Sequence, residues 1–79
     1  MARWQTMRGA TEHYVVINGT TVTVGEHSGS GRTDYASSCT LAEFLERRFD
    51  ALIRRVHGQE ALAEMWSDVH GRLAEKPDG

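Results

Sequence analysis

Residues 12–24 read Glu12-His13-Tyr14-Val15-Val16-Ile17-Asn18-Gly19-Thr20-Thr21-Val22-Thr23-Val24, two runs of β-branched and aromatic residues parted by Asn-Gly. Asn-Gly between such runs is the strongest short-range signal for a two-residue hairpin, because both central residues of a type I′ turn need a positive φ. With Asn18-Gly19 as the turn, Ile17 opposes Thr20, Val15 opposes Val22, Tyr14 opposes Thr23 and His13 opposes Val24. Side chains alternate between the two sides of a strand. One side therefore collects Val15, Ile17, Val22 and Val24 with His13 and is expected to face the core. The other collects Glu12, Tyr14, Val16, Thr21 and Thr23 and is expected to face solvent or a partner.

Outward from this hairpin, residues 25–31 are polar with three glycines and read as a flexible loop. Residues 32–36 read as a third strand, and residues 3–7 as a fourth with Trp4 reaching the core. The second half is helical. Thr40-Leu41-Ala42-Glu43 is a capping box, in which the Thr40 side chain accepts from the Glu43 N–H and the Glu43 carboxylate accepts from the Thr40 N–H. Cys39 precedes the cap and Phe44 stands where it would be stapled. At about 100° per residue, Leu41, Leu45, Phe49, Leu52 and Val56 fall in one stripe flanked by Phe44 and Ile53, which predicts one continuous helix ended by a left-handed Gly58. A second amphipathic run carries Leu62, Met65, Trp66, Val69 and Leu73 and is stopped by Pro77. The expected fold is a single α+β domain over residues 1–79, an antiparallel sheet of three to four strands followed by two amphipathic helices packed on one face.

The chain's 79 residues, 39% of them hydrophobic, supply one thin core and no separate cofactor domain. A lone Cys excludes an intramolecular disulfide framework and a Cys-based zinc cluster, and fits a reducing cytosol. The first twenty residues hold no apolar run of signal-peptide or membrane-spanning length, so a soluble, cytoplasmic protein without a membrane partner is expected. The net charge of −2 is unevenly spread. Residues 1–37 balance, residues 38–59 carry +1, and residues 60–75 carry −3 from Glu60, Glu64, Asp68 and Glu75 against Arg72.

Several motifs invite chemistry. Residues 26–33 end like a phosphate-binding loop, but Glu26 stands at its first glycine position and Arg32 at its lysine position. The capped helix also begins about seven residues too late to cradle phosphate with its N-terminal amides. Cys39, near a helix N-terminus, is a candidate nucleophile, against which stands its reading as a small buried apolar group. His13, His27, His57 and His70 are spaced 14, 30 and 13 apart, without the three- or four-residue spacing that puts two imidazoles on one metal. His57 in the last turn of its helix is expected to serve there as a cation. Two helices joined near Gly58 suggest a helix-turn-helix, yet the acidic second helix would be repelled by DNA. Neither a cofactor nor a metal nor direct contact with nucleic acid is expected. The candidate partner-binding residues are Tyr14, Val16, Thr21 and Thr23 on the outer sheet face, and Glu60, Glu64, Asp68 and Glu75 on the second helix.

Asn18-Gly19-Thr20, the Thr/Val strand after it, a Gly-containing loop, Asp34-Tyr35 and the run Ser38-Cys39-Thr40-Leu41-Ala42-Glu43-Phe44-Leu45-Glu46-Arg47-Arg48-Phe49 together resemble the small phage anti-CRISPR proteins that inhibit type I systems, those of type I-F and type I-C included. The resemblance covers residues 13–75. It implies an antiparallel sheet followed by two helices, no enzymatic activity, and a monomer that binds the crRNA-guided surveillance complex (Cascade) in the bacterial cytoplasm. It further implies binding at the complex's basic DNA-binding surface and exclusion of target DNA. The exposed sheet tyrosine of the resembling protein aligns with Val16, with Tyr14 two residues earlier on the same face; its acidic sheet residue aligns near His27, beside Glu26. The reading of a different class is a small oligomeric regulatory or antitoxin-like accessory protein that assembles through the same sheet.

Overall fold

The computed structural model describes residues 1–29 and 34–75. Four strands, β1 (Ala2–Arg8), β2 (Thr11–Asn18), β3 (Thr21–Ser28) and β4 (Tyr35–Thr40), form one antiparallel sheet in the order β1-β2-β3-β4. Three helices follow, α1 (Leu41–Leu45), α2 (Asp50–Val56) and α3 (Gln59–Ala74). The α+β architecture is as expected, with four strands in the sheet and three helices where two were expected.

The central hairpin differs from expectation by a two-residue slip. Asn18 opposes Thr21, Ile17 opposes Val22 and Val15 opposes Val24, so the turn is Gly19-Thr20. Gly19 has φ +61 while Asn18 and Thr20 do not enter the left-handed region, the arrangement of a type II′ turn with Gly at its first central position. Gly9, at φ +63, does the same between β1 and β2. Cross-strand pairing explains the register: it sets Tyr14 against Gly25 and His13 against Glu26, where the Asn18-Gly19 turn would have set them against Thr23 and Val24. An even slip preserves the faces, so Val15, Ile17, Val22 and Val24 are buried together as expected.

The same register carries β3 through Gly25, Glu26 and His27 to Ser28, residues read from sequence as loop, because β2 still offers partners as far as Thr11. The fourth strand in sequence begins at Tyr35 and continues to the helix cap, beyond the expected residue 36. Residues 30–33 of the expected loop and strand, and Pro77, lie outside the described residues.

The expected long helix is broken. The Thr40–Glu43 capping box forms with both hydrogen bonds, at 2.9 and 3.1 Å. After Leu45, however, Arg47 and Phe49 adopt left-handed φ values of 73° and 67°. Each such non-glycine residue costs about 1–2 kcal/mol. The turn offsets this by burying Phe44, which lay at the margin of the expected stripe, as completely as Ile53, each at 0% exposure. Tertiary packing thereby overrides a continuous helical period. The core joins Val15, Ile17 and Val22 of the sheet to Leu41, Phe44, Ile53, Leu62, Met65 and Val69 of the helices, with Trp4 packed at its margin.

At the far end of α2, Arg8 donates to the carbonyls of Arg55 and Val56 at 3.0 Å each and so provides the cation at the helix C-terminus. That role was expected of His57. His57 instead shares a 2.9 Å hydrogen bond between its Nδ1 and Thr6 Oγ1, and its pKa is lowered, first by burial and then by the charges of His13 and Arg8. The folded protein therefore favours neutral imidazole, and below the unfolded value of 6.5 the unfolded chain binds the extra proton. Stability contributed by this group is present above that pH and is lost as pH falls through it. Urea unfolding should show a midpoint that declines between pH 7 and pH 5, and His57→Gln should flatten that decline; an equally steep decline in the variant contradicts the assignment.

Candidate functional site

All three helices cover one side of the sheet, and the molecule's shortest extent, 18 Å, is that of two layers. Among the described residues no element packs on the outer side, and on it stand Tyr14, Val16, Thr21 and Thr23 as expected from alternation.

Tyr14 is fixed there by its neighbours. Gly25 lies directly opposite on β3, and a Cβ at that position would collide with the Tyr14 hydroxyl and with the backbone carbonyl of Tyr35. The phenol thus occupies the space that the missing side chain leaves, an aromatic covering a strand glycine. From β1 the Arg3 guanidinium lies 5.1 Å from the ring centroid, within cation–π range, and is tethered to Glu12 at 3.1 Å. Across the face, Thr23 and Ser38 share a 2.9 Å hydrogen bond between their hydroxyls. Val16 is half-buried beside the exposed Thr21. At one end, Tyr14, Glu26, His27, Asp34, Tyr35 and Ala36 line a shallow hollow of about 300 Å³, with His27 Nδ1 2.8 Å from Asp34 Oδ1. An aromatic held between a cation and a glycine, flanked by small hydroxyl side chains, offers a partner a preordered apolar contact with polar surroundings.

The acidic row on α3 is arranged differently from expectation. Glu64 accepts from the Trp4 indole Nε1 at 3.0 Å, and Trp4 is on the core face of β1. Asp68 is paired with Arg72 at 2.7 Å, an i,i+4 contact that compensates part of the row's charge. Glu60 is exposed in the first turn and Glu75 is exposed at the C-cap. Because Trp4 and Tyr14 project to opposite sides of the sheet, the acidic row and the Tyr14 face point away from each other. On α2, Asp50 pairs with Arg54 at 3.1 Å. Glu43 and Arg47, also four apart in sequence, do not pair, since the left-handed Arg47 lies beyond the end of α1 and Glu43 serves the cap.

Residues 26–28 are strand where a phosphate loop would need an open turn, and the rest of that motif lies outside the described residues. Cys39 is buried, and burial first, then the Glu43 charge, raises its pKa, opposite to the thiolate favoured by a helix N-terminus. His13 approaches Glu26 at 3.7 Å near His57, but no three His, Cys, Asp or Glu side chains among the described residues converge as a metal site. No helix among them is long and apolar enough to cross a membrane. Arg3 and Gly25 were not legible as site residues, because their part depends on the registers that bring them to Tyr14, and Glu12, already on this face by alternation, gains its part only through Arg3. Comparison with family models, curated proteins and solved structures finds no match to this chain.

The fit of Tyr14 over Gly25 is testable as a coupling. Gly25→Ala should destabilise the fold by about 1–3 kcal/mol through overpacking. Adding Tyr14→Ala should recover part of that loss and leave the Tyr35 carbonyl clash. Additive effects in a double-mutant cycle, read by urea unfolding, would contradict the contact.

Proposed function

We propose that this chain is a non-enzymatic inhibitor of bacterial CRISPR–Cas immunity, an anti-CRISPR of the phage type, which binds a type I crRNA-guided surveillance complex through its open sheet face and keeps target DNA out. The observation that carries the reading is the uncovered outer face, with Tyr14 preordered at its centre by Arg3 and Gly25. Such a face suits docking by shape and a few buried contacts, without chemistry. The resemblance in residues 13–75 supplies the identity of the partner. Of the acidic residues, Glu60 and Glu75 are exposed and suited to steering the chain toward a basic surface, while Glu64 and Asp68 also hold contacts within the fold.

The test is a pull-down of purified type I-F and type I-C complexes, followed by target-DNA binding in the presence of the chain. Wild type should be retained and should block DNA; Tyr14→Ala should weaken retention by about thirtyfold, the effect of losing a central anchor. Glu60→Lys with Glu75→Lys should slow association most at low salt. Retention by neither complex, or full retention of Tyr14→Ala, would overturn the reading.

One observation favours the oligomeric accessory protein as a second reading. The edge strand β4, Tyr35–Thr40, carries no charged residue to discourage pairing with another strand. A stable dimer by solution mass at working concentration would favour that reading over the monomeric inhibitor.

A further inference from the structure

Between the last turns of α2 and the sheet lies a cavity of about 150 Å³, with Val24, Leu52 and Val56 as apolar lining and His13, Glu26 and His57 as polar lining. We propose that it is a small-molecule binding site for a neutral phenol, a single aromatic ring that carries a hydroxyl. The cavity is on the helical side of the sheet and does not rest on the reading given for the open face.

Size comes first: a cavity of about 150 Å³ admits one benzene-sized ring. Its polar groups are few and convergent, as in small-molecule sites, since His13 and Glu26 are cross-strand partners and His57 stands close enough to feel the charge of His13. Two of them are unanswered. His13 Nδ1 and Glu26 Oε2 stand 3.7 Å apart, beyond hydrogen-bond length, and neither side chain makes a hydrogen bond to any described residue. Both can be reached from the cavity, because their side chains are 19% and 37% exposed. One hydroxyl answers the pair: it accepts from the His13 Nδ1–H and donates to the Glu26 carboxylate.

Charge selects against the other ring compounds of this size. An anion placed at the pair would lie against the Glu26 carboxylate. A cation would add to Arg55 on the lining and to the charges of His13 and Arg8, which, after burial, already lower the His57 pKa. A neutral ligand avoids both conflicts. Tyr35, left 48% exposed, lines the cavity as the cross-strand partner of Glu26 and offers the ligand ring an aromatic neighbour.

The test is NMR titration of the full chain with p-cresol, and with toluene, benzoate and benzylamine as ring-matched compounds that lack the hydroxyl or carry a charge. p-Cresol should shift the methyl resonances of Val24 and Val56 and the imidazole resonances of His13. It should bind about tenfold more tightly than toluene, the effect of the added hydrogen bonds. Glu26→Ala should bring p-cresol down to the affinity of toluene, and Val56→Phe should fill the cavity and abolish binding of both. The four-compound comparison uses wild type alone and decides the matter if either variant fails to fold. Equal affinity for p-cresol and toluene, tighter binding of benzoate or benzylamine, undiminished p-cresol affinity in folded Glu26→Ala, or no shift at Val24 and Val56 would overturn the proposal.

Discussion

All three helices of the described residues pack on the same side of the sheet, and the contact of Phe44, Ile53 and Met65 with Val15, Ile17 and Val22 forms the core on which the fold depends. A chain of this length has no second set of apolar segments for the opposite side. The outer face must therefore be made tolerable to water by other means, and it is: hydroxyls pair across strands, Arg3 pairs with Glu12, and Tyr14 lies flat over Gly25. The features that let this face meet water also order it, as the proposed docking requires. That it stands open among the described residues is a direct result of where the helices pack.

The sheet's two-sidedness was legible in residues 12–24, because alternation survives a slip of two residues. The register itself was not legible. Asn18-Gly19-Thr20 admits either of two turns, and the choice falls to Tyr14, which needs a glycine opposite it. The capping box at Thr40 was readable since it is local. The break at Arg47 and Phe49 was not, because neither residue type signals a left-handed conformation and only the burial of Phe44 and Ile53 together explains it. Arg8 displaced His57 at the end of α2 for the same reason: a contact spanning most of the chain has no local signature.

The candidate docking residues divide along this line as well. Tyr14, Val16, Thr21 and Thr23 are placed by strand alternation and stand on the open face together. Glu60, Glu64, Asp68 and Glu75 share a helix, yet two of them are engaged, one by Trp4 and one by Arg72. Charge counted along a sequence overstates the charge that a surface presents when a row of acids includes partners for its neighbours.

The strand order β1-β2-β3-β4 follows the chain, with tight glycine turns at the first two connections. Each pairing is thus between neighbours, the low contact order associated with fast assembly. During synthesis from the N-terminus the whole sheet precedes every helix, so its apolar side gains cover stepwise. The first cover comes from α1 against β3 and β4, and completion of residues 59–74 closes the core by adding Leu62, Met65 and Val69.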